Sequence, residues 1–137
     1  MTSPLIAAVV QVLGGLEGLV QVRDNGLDPP SKSPAAAVEL AAEKEHEPQE
    51  LADGLPLDLE VTLAVAVLAK ITPGKASQAR DLVAGLARQA RRALAADVTL
   101  GGACLDSRCE PTEFEYRKIV GEDWCLGTIL LTALLED

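Results

Sequence analysis

Three thiols, one imidazole and a run of carboxylates are the side chains here whose chemistry could, in the right spacing, make a reactive or metal-binding centre. Cys104 and Cys109 stand five residues apart, Cys125 follows later, and there is no Cys-x-x-Cys. A structural zinc site takes four nitrogen or sulfur donors in closely spaced pairs, and the sole histidine, His46, lies far upstream. An odd and sparse cysteine count also does not make a disulfide framework, so the three read as ordinary thiols in a reducing compartment. His46 falls within Glu45-His46-Glu47-Pro48, where a solvated surface imidazole is the expected state rather than a general base. Carboxylates near it could gather a hard cation through their oxygens. The Asp-x-Asp-x-Asp-Gly spacing of a dedicated calcium loop is missing, so such a site would be weak or shared between subunits. Gly14-Gly15 and Gly101-Gly102 lack both the Lys-Ser/Thr ending and the Gly-x-Gly-x-x-Gly spacing of phosphate-cradling loops. No serine or cysteine comes with a plausible base. The expectation is a chain with no catalytic residue, no metal site and no cofactor.

Composition narrows the remaining classes. The 137 residues are 48% hydrophobic, 24% charged and 2% aromatic, with 12 basic against 21 acidic side chains and a net charge of −9. That apolar share is too high for disorder, and the aromatic share is too low for stacking on bases. A surface so acidic does not neutralise phosphates, which argues against sequence-specific nucleic-acid binding. The length fits one domain, residues 1–137, with one core. Leu5 to Leu19 is apolar but broken by Gln11, Gly14, Gly15, Glu17 and Gly18, and no basic segment precedes it. It therefore predicts neither a signal peptide nor a membrane span, and a protein assembled in the cytoplasm.

The elements that would position these groups follow from periodicity. Ser3-Pro4 supplies a cap and a first-turn proline, and Leu5, Ile6, Val9, Val10, Leu13 and Leu16 predict an amphipathic helix over 4–18. A short strand over 19–23 and a proline-stiffened loop over 24–34 come next. Residues 35–45 alternate, with Val38, Leu40 and Ala42 on one side and Glu39, Ala41, Glu43 and Glu45 on the other. This predicts a half-buried strand, against the helical preference of Ala, Glu and Lys. After a polar connection over 46–56, residues 57–71 alternate strictly. Leu57, Leu59, Val61, Leu63, Val65, Val67 and Ile71 share one face of a long strand. Thr72-Pro73-Gly74 ends it. A helix over 76–96 follows, its inward stripe Ala79, Leu82, Val83, Leu86, Ala90, Ala93 and Leu94, with Arg80, Arg88, Arg91 and Arg92 largely outward. Strands over 103–109, 112–120 and 123–135 complete the chain, the last apolar on both faces. The prediction is an α+β fold: a largely antiparallel or mixed sheet of about 4–6 strands with two main helices on one face.

Ala93-Leu94-Ala95-Ala96-Asp97-Val98-Thr99-Leu100-Gly101-Gly102 is the end of a helix running into an Asp-x-Thr-Leu-Gly-Gly turn. A strand bearing Glu113 and Glu115 and the closing apolar strand follow it. In this motif, and in the order and length of its elements, the chain resembles the tail terminator family of long-tailed bacteriophages. It departs from that pattern in its cysteines over 104–125 and in its few aromatics. On the residues alone, Asp97 is a side-chain acceptor after a basic helix end, and Gly101-Gly102 permits positive φ or close backbone approach. A tight turn with Leu100 tucked into the core is favoured over direct contact with a partner.

The resemblance implies a structural protein of the virion tail, closing as a homo-oligomeric ring, generally a hexamer, on the tail tube. Its partners would be copies of itself, the tail tube protein and the head–tail connector. Charge segregation fits such an interface. Residues 39–60 carry Glu39, Glu43, Glu45, Glu47, Glu50, Asp53, Asp58 and Glu60 against Lys44 alone. Residues 73–96 carry Lys75, Arg80, Arg88, Arg91 and Arg92 against Asp81 alone. Opposite patches on one subunit can meet head-to-tail around a ring; two solvated faces of a monomer are the plainer account. Alternatively, Glu39, Glu43 and Glu45 line a lumen and keep passing DNA from sticking. Other tail-completion or head–tail joining proteins, and a non-viral α+β binding domain, share these features.

Overall fold

The computed structural model describes residues 2–24, 30–45 and 58–136. The elements in chain order are α1 (Thr2–Gly14), β1 (Gln21–Arg23), β2 (Ala35–Glu45), β3 (Asp58–Lys70), α2 (Ala76–Ala95), β4 (Asp106–Cys109), β5 (Glu113–Ile119) and β6 (Glu122–Glu136). They form the expected α+β arrangement, a mixed six-stranded sheet with both helices packed against one face.

The strict alternation of β3 gives the sheet its centre. Val61, Leu63, Val65 and Val67 are wholly buried beneath the helices, and β6 runs antiparallel along the full length of β3. Ala133, Leu131 and Ile129 stand opposite Val61, Leu63 and Val65, and with Leu135, opposite Leu59, they face the same way and are buried too. Fully burying a valine or leucine contributes roughly 1.5–3 kcal/mol, so this paired stripe is the main source of stability. β2 lies antiparallel on the other side of β3, and β1 joins the start of β2 in parallel over three residues. β4 and β5 both pair with β6, one with each half of it, so together they make one interrupted edge.

The helices differ from the periodicity reading in small, physical ways. α1 begins at Thr2 rather than after Ser3, so Pro4 sits in the first turn, and it stops at Gly14 rather than residue 18. Leu5, Val9 and Leu13 are its buried stripe. α2 is rotated relative to the expected stripe: Ala79, Val83, Leu86, Ala87, Ala90 and Leu94 are buried, whereas Leu82 is exposed. Small residues set that rotation. A Cβ on Gly127 of β6 would meet Val83 Cγ1 at 2.9 Å, and one on Gly18 would collide with Leu86, so both glycines let α2 seat closely. Strand β4 is shorter than expected, because residues 103–105 belong to the preceding turn.

The second face of the sheet is partly covered. Trp124, Leu126 and Leu68 are buried there with Ala37, Ala66 and Ile119 packed around them. Toward the other end of β6, Leu130 is exposed and Leu134 half-buried. The two-sided apolar character of the last strand is thus half absorbed within the fold.

Candidate functional site

The Asp-x-Thr-Leu-Gly-Gly segment is a self-contained turn. Asp97 Oδ1 accepts hydrogen bonds from the Thr99 amide at 3.0 Å and the Thr99 hydroxyl at 2.7 Å, and Oδ2 accepts from the Gly101 amide at 2.8 Å. These donors favour the charged carboxylate. The Thr99 hydroxyl, then the Gly101 and Thr99 amides, hold its pKa below the ordinary 3.8. Leu100, Gly101 and Gly102 all take positive φ, at 49°, 71° and 90°. A leucine there is strained, and burial of the Leu100 side chain to 4% exposure offsets that strain. Every hydrogen bond of the Asp97 carboxylate points inward to its own turn. The geometry is that of a structural turn with Leu100 in the core.

The three arginines of the basic helix do not act alike. Arg88 and Arg92 are exposed and make no ion pair among the described residues. Arg91, expected outward, is half-buried, and its Nε has no hydrogen-bond partner. It lies close enough to Cys109 on β4 to draw that thiol's pKa down, against the larger upward push of burial.

The acidic strand departs further from expectation. Val38 stands opposite Val65 and Leu40 opposite Leu63, on the helix side of the sheet. Between Leu40 and Ala42 the register shifts by a bulge, after which Glu43 stands opposite Val61 and Glu45 opposite Leu59. One extra residue inverts the alternation, so Glu43 and Glu45 take helix-side register positions while Glu39, opposite Ala64, stays on the other face. Glu39 and Glu43, which simple alternation places on one side, therefore take register positions on opposite faces of the sheet. Among the described residues no ion pair joins Glu39 or Glu43 to Arg88, Arg91 or Arg92. His46, Glu47, Glu50 and Asp53 lie outside the described residues.

Burial pushes all three thiol pKa values upward, which makes them poor nucleophiles. Among the described residues no cluster of His, Cys, Asp and Glu could hold a metal, and no helix is long and apolar enough to cross a membrane.

Two features escaped the sequence reading. A groove of about 420 Å³ opens on the helix-free face, floored by Ala37, Ala66, Leu68 and Leu126 and rimmed by Arg23 and Arg117. The second is the outer edge of β5. Its Glu-Phe-Glu-Tyr-Arg-Lys-Ile sequence is exposed almost throughout, and Phe114 and Tyr116, the only phenylalanine and tyrosine of the chain, remain 50% and 57% exposed. Aromatics are enriched at protein interfaces, so in so aromatic-poor a chain that heptapeptide was the available signal.

Comparison with known proteins adds little that bears on this surface. No family model matches the chain, and no curated protein matches it. Among solved structures, it is similar to a chain of the virion of a native gene transfer agent particle, at 18% identity and a TM-score of 0.45. That alignment covers 99% of this chain and 97% of the other.

Proposed function

We propose that this chain is a structural protein of a phage-type tail. In this reading it works as a terminator: a homo-oligomeric ring, six-membered by family resemblance, seats on the end of the tail tube, stops its polymerisation and offers a surface for joining the head. The observation that carries the reading is the separation of charge between α2 and β2. Arg88 and Arg92 project from α2 unpaired, while the acidic residues of β2 fall on both faces of the sheet, Glu39 away from the helices and Glu43 at a helix-side register position. A cation-bearing helix and an acidic strand that form no ion pair with each other among the described residues can meet between neighbours, and a heterologous contact of that kind can close into a ring. The Asp97 turn has a supporting part, fixing the exit from α2 so that its basic face is held rigid.

The purified chain mixed with a cognate tail tube protein tests this directly. Rings by electron microscopy and arrest of tube elongation are expected, and Arg88→Glu with Arg92→Glu should abolish both while leaving the fold intact. A folded chain that neither forms rings nor caps tubes would overturn the reading.

A further inference from the structure

The outer edge of β5 carries a pattern that is complementary to itself. On one side β5 pairs with β6 from Glu113↔Thr128 to Ile119↔Glu122; on the other, among the described residues, it pairs with nothing. An exposed edge of seven residues is a template for another strand, and uniform charge is the usual protection against that. Here the charge is not uniform. Acidic Glu113 and Glu115 occupy the first half, and basic Arg117 and Lys118 the second.

Two copies running antiparallel about a two-fold axis at Tyr116 would set Glu115 of each opposite Arg117 of the other. Phe114 would then lie opposite Lys118, and Tyr116 opposite Tyr116. The register with Gly127 and Cys125 puts Phe114 and Tyr116 on the helix side of the sheet, whereas Glu115 and Arg117 lie on the other side. The junction sorts its central contacts by face: Phe114, Tyr116 and Lys118 above, where Lys118 also pairs with Asp123 of β6, and the Glu115–Arg117 charge pairs below, flanked by Glu113 opposite Ile119. Glu115 already bonds Arg117 along its own strand at 2.6 Å, so pairing would close a square of four alternating charges. Neighbouring registers are less favourable. Moving the axis to residue 115 makes two Glu113–Arg117 pairs but sets Glu115 against Glu115 between them, and moving it to residue 117 sets Arg117 against Arg117 with no opposite-charge pair, and like charges directly opposite destabilise a cross-strand pair.

We infer that β5 is an isologous pairing edge, through which two copies of this chain join their sheets with Tyr116 on the two-fold axis. An isologous contact makes a pair and cannot by itself close a ring. It is thus separate from the charge contact of α2, and would either hold chains in pairs before assembly or join two rings back to back.

Sedimentation equilibrium of the full chain tests the proposal. Wild type should pass from a 14.3 kDa species to twice that mass by about 100 µM, the range of a small, partly polar interface. Glu115→Arg and Arg117→Glu should each weaken pairing at least about tenfold, since each makes both charge contacts repulsive. Mixed in equal amounts, the two variants should pair with each other, because both 115–117 contacts in the mixed pair join opposite charges. Restoration of this kind cannot come from repair of either fold, as the bond between 115 and 117 within each strand stays broken. A wild type still monomeric at about 200 µM, single variants that pair unimpaired, or an unpaired mixture would each overturn the proposal. The Arg88→Glu, Arg92→Glu chain should still pair, so loss of ring formation and loss of pairing are read separately.

Discussion

Gly127 of β6 and Val83 of α2 are in such close apposition that a Cβ on the glycine would lie 2.9 Å from Val83 Cγ1, with Phe114 Cε1 at 3.1 Å on the other flank. Gly127→Ala must therefore push α2 off the sheet or displace Phe114, and overpacking of this kind costs about 1–3 kcal/mol. Gly85 lies within α2 itself and has nothing within 4 Å of its would-be Cβ. Gly85→Ala should accordingly stabilise by up to about 1 kcal/mol through helix propensity. Urea titration followed by fluorescence of the buried Trp124 would read the two opposite shifts in midpoint.

The Asp97 turn makes stability pH-dependent with a definite sign. Its carboxylate pKa is lowered in the folded chain, chiefly by the Thr99 hydroxyl, from an ordinary 3.8. A depressed acid contributes stability that is fully present above the unfolded pKa and drains away as pH falls through the folded one. Asp97→Ala should thus melt below wild type at pH 7, and the gap should narrow once the pH drops under 3.8. A gap that stayed constant down to pH 2 would mean the carboxylate's charge plays no part in holding the turn.

The β5–β6 hairpin turns on Val120 and Gly121, with φ of 49° and 77°, the two positive values that a type I′ turn demands. Valine is a poor choice for that conformation, and at 81% exposure its side chain recovers little by packing. Asparagine tolerates it. Val120→Asn is expected to stabilise by about 1 kcal/mol, raising the melting temperature by about 3 °C in calorimetry.

These features differ in how plainly the sequence announces them. β3 is legible because nothing interrupts its alternation, and the Leu100 turn because aspartate, threonine and paired glycines each have a place in it. The face of β2 was not legible, since the bulge between Leu40 and Ala42 adds one residue and no residue type there marks it. The rotation of α2 was half legible: alanine and leucine compete for the inward position, and the closeness allowed by Gly127 and Gly18 favours Ala87 over Leu82. That closeness is a property of two elements together, and helical periodicity reads only one. The β5 edge went unnoticed for a related reason, because Glu-Phe-Glu-Tyr-Arg-Lys-Ile looks like an ordinary exposed strand until the sheet order leaves it unpaired on one side.

The thiols offer a readout of the α2 surface without any mutation. Cys104 and Cys125 are buried and Cys109 only half-buried, and all three have pKa values raised by burial. At pH 8 each is therefore mostly protonated, and alkylation of the folded chain should run well below the rate seen in denaturant, with Cys109 reacting first. Cys109 also lies beside Arg91, whose charge partly counters the effect of burial. If the basic face of α2 docks against an acidic neighbour, as the ring reading requires, the carboxylates arriving at Arg91 remove that relief and cover the thiol. Labelling of Cys109 should then slow several-fold on assembly with the tube protein, while Cys125, buried to 1% exposure, should label slowly throughout. Mass spectrometry of alkylated peptides separates the two sites. Unchanged labelling of Cys109 in assembled rings would place the ring contact elsewhere than α2.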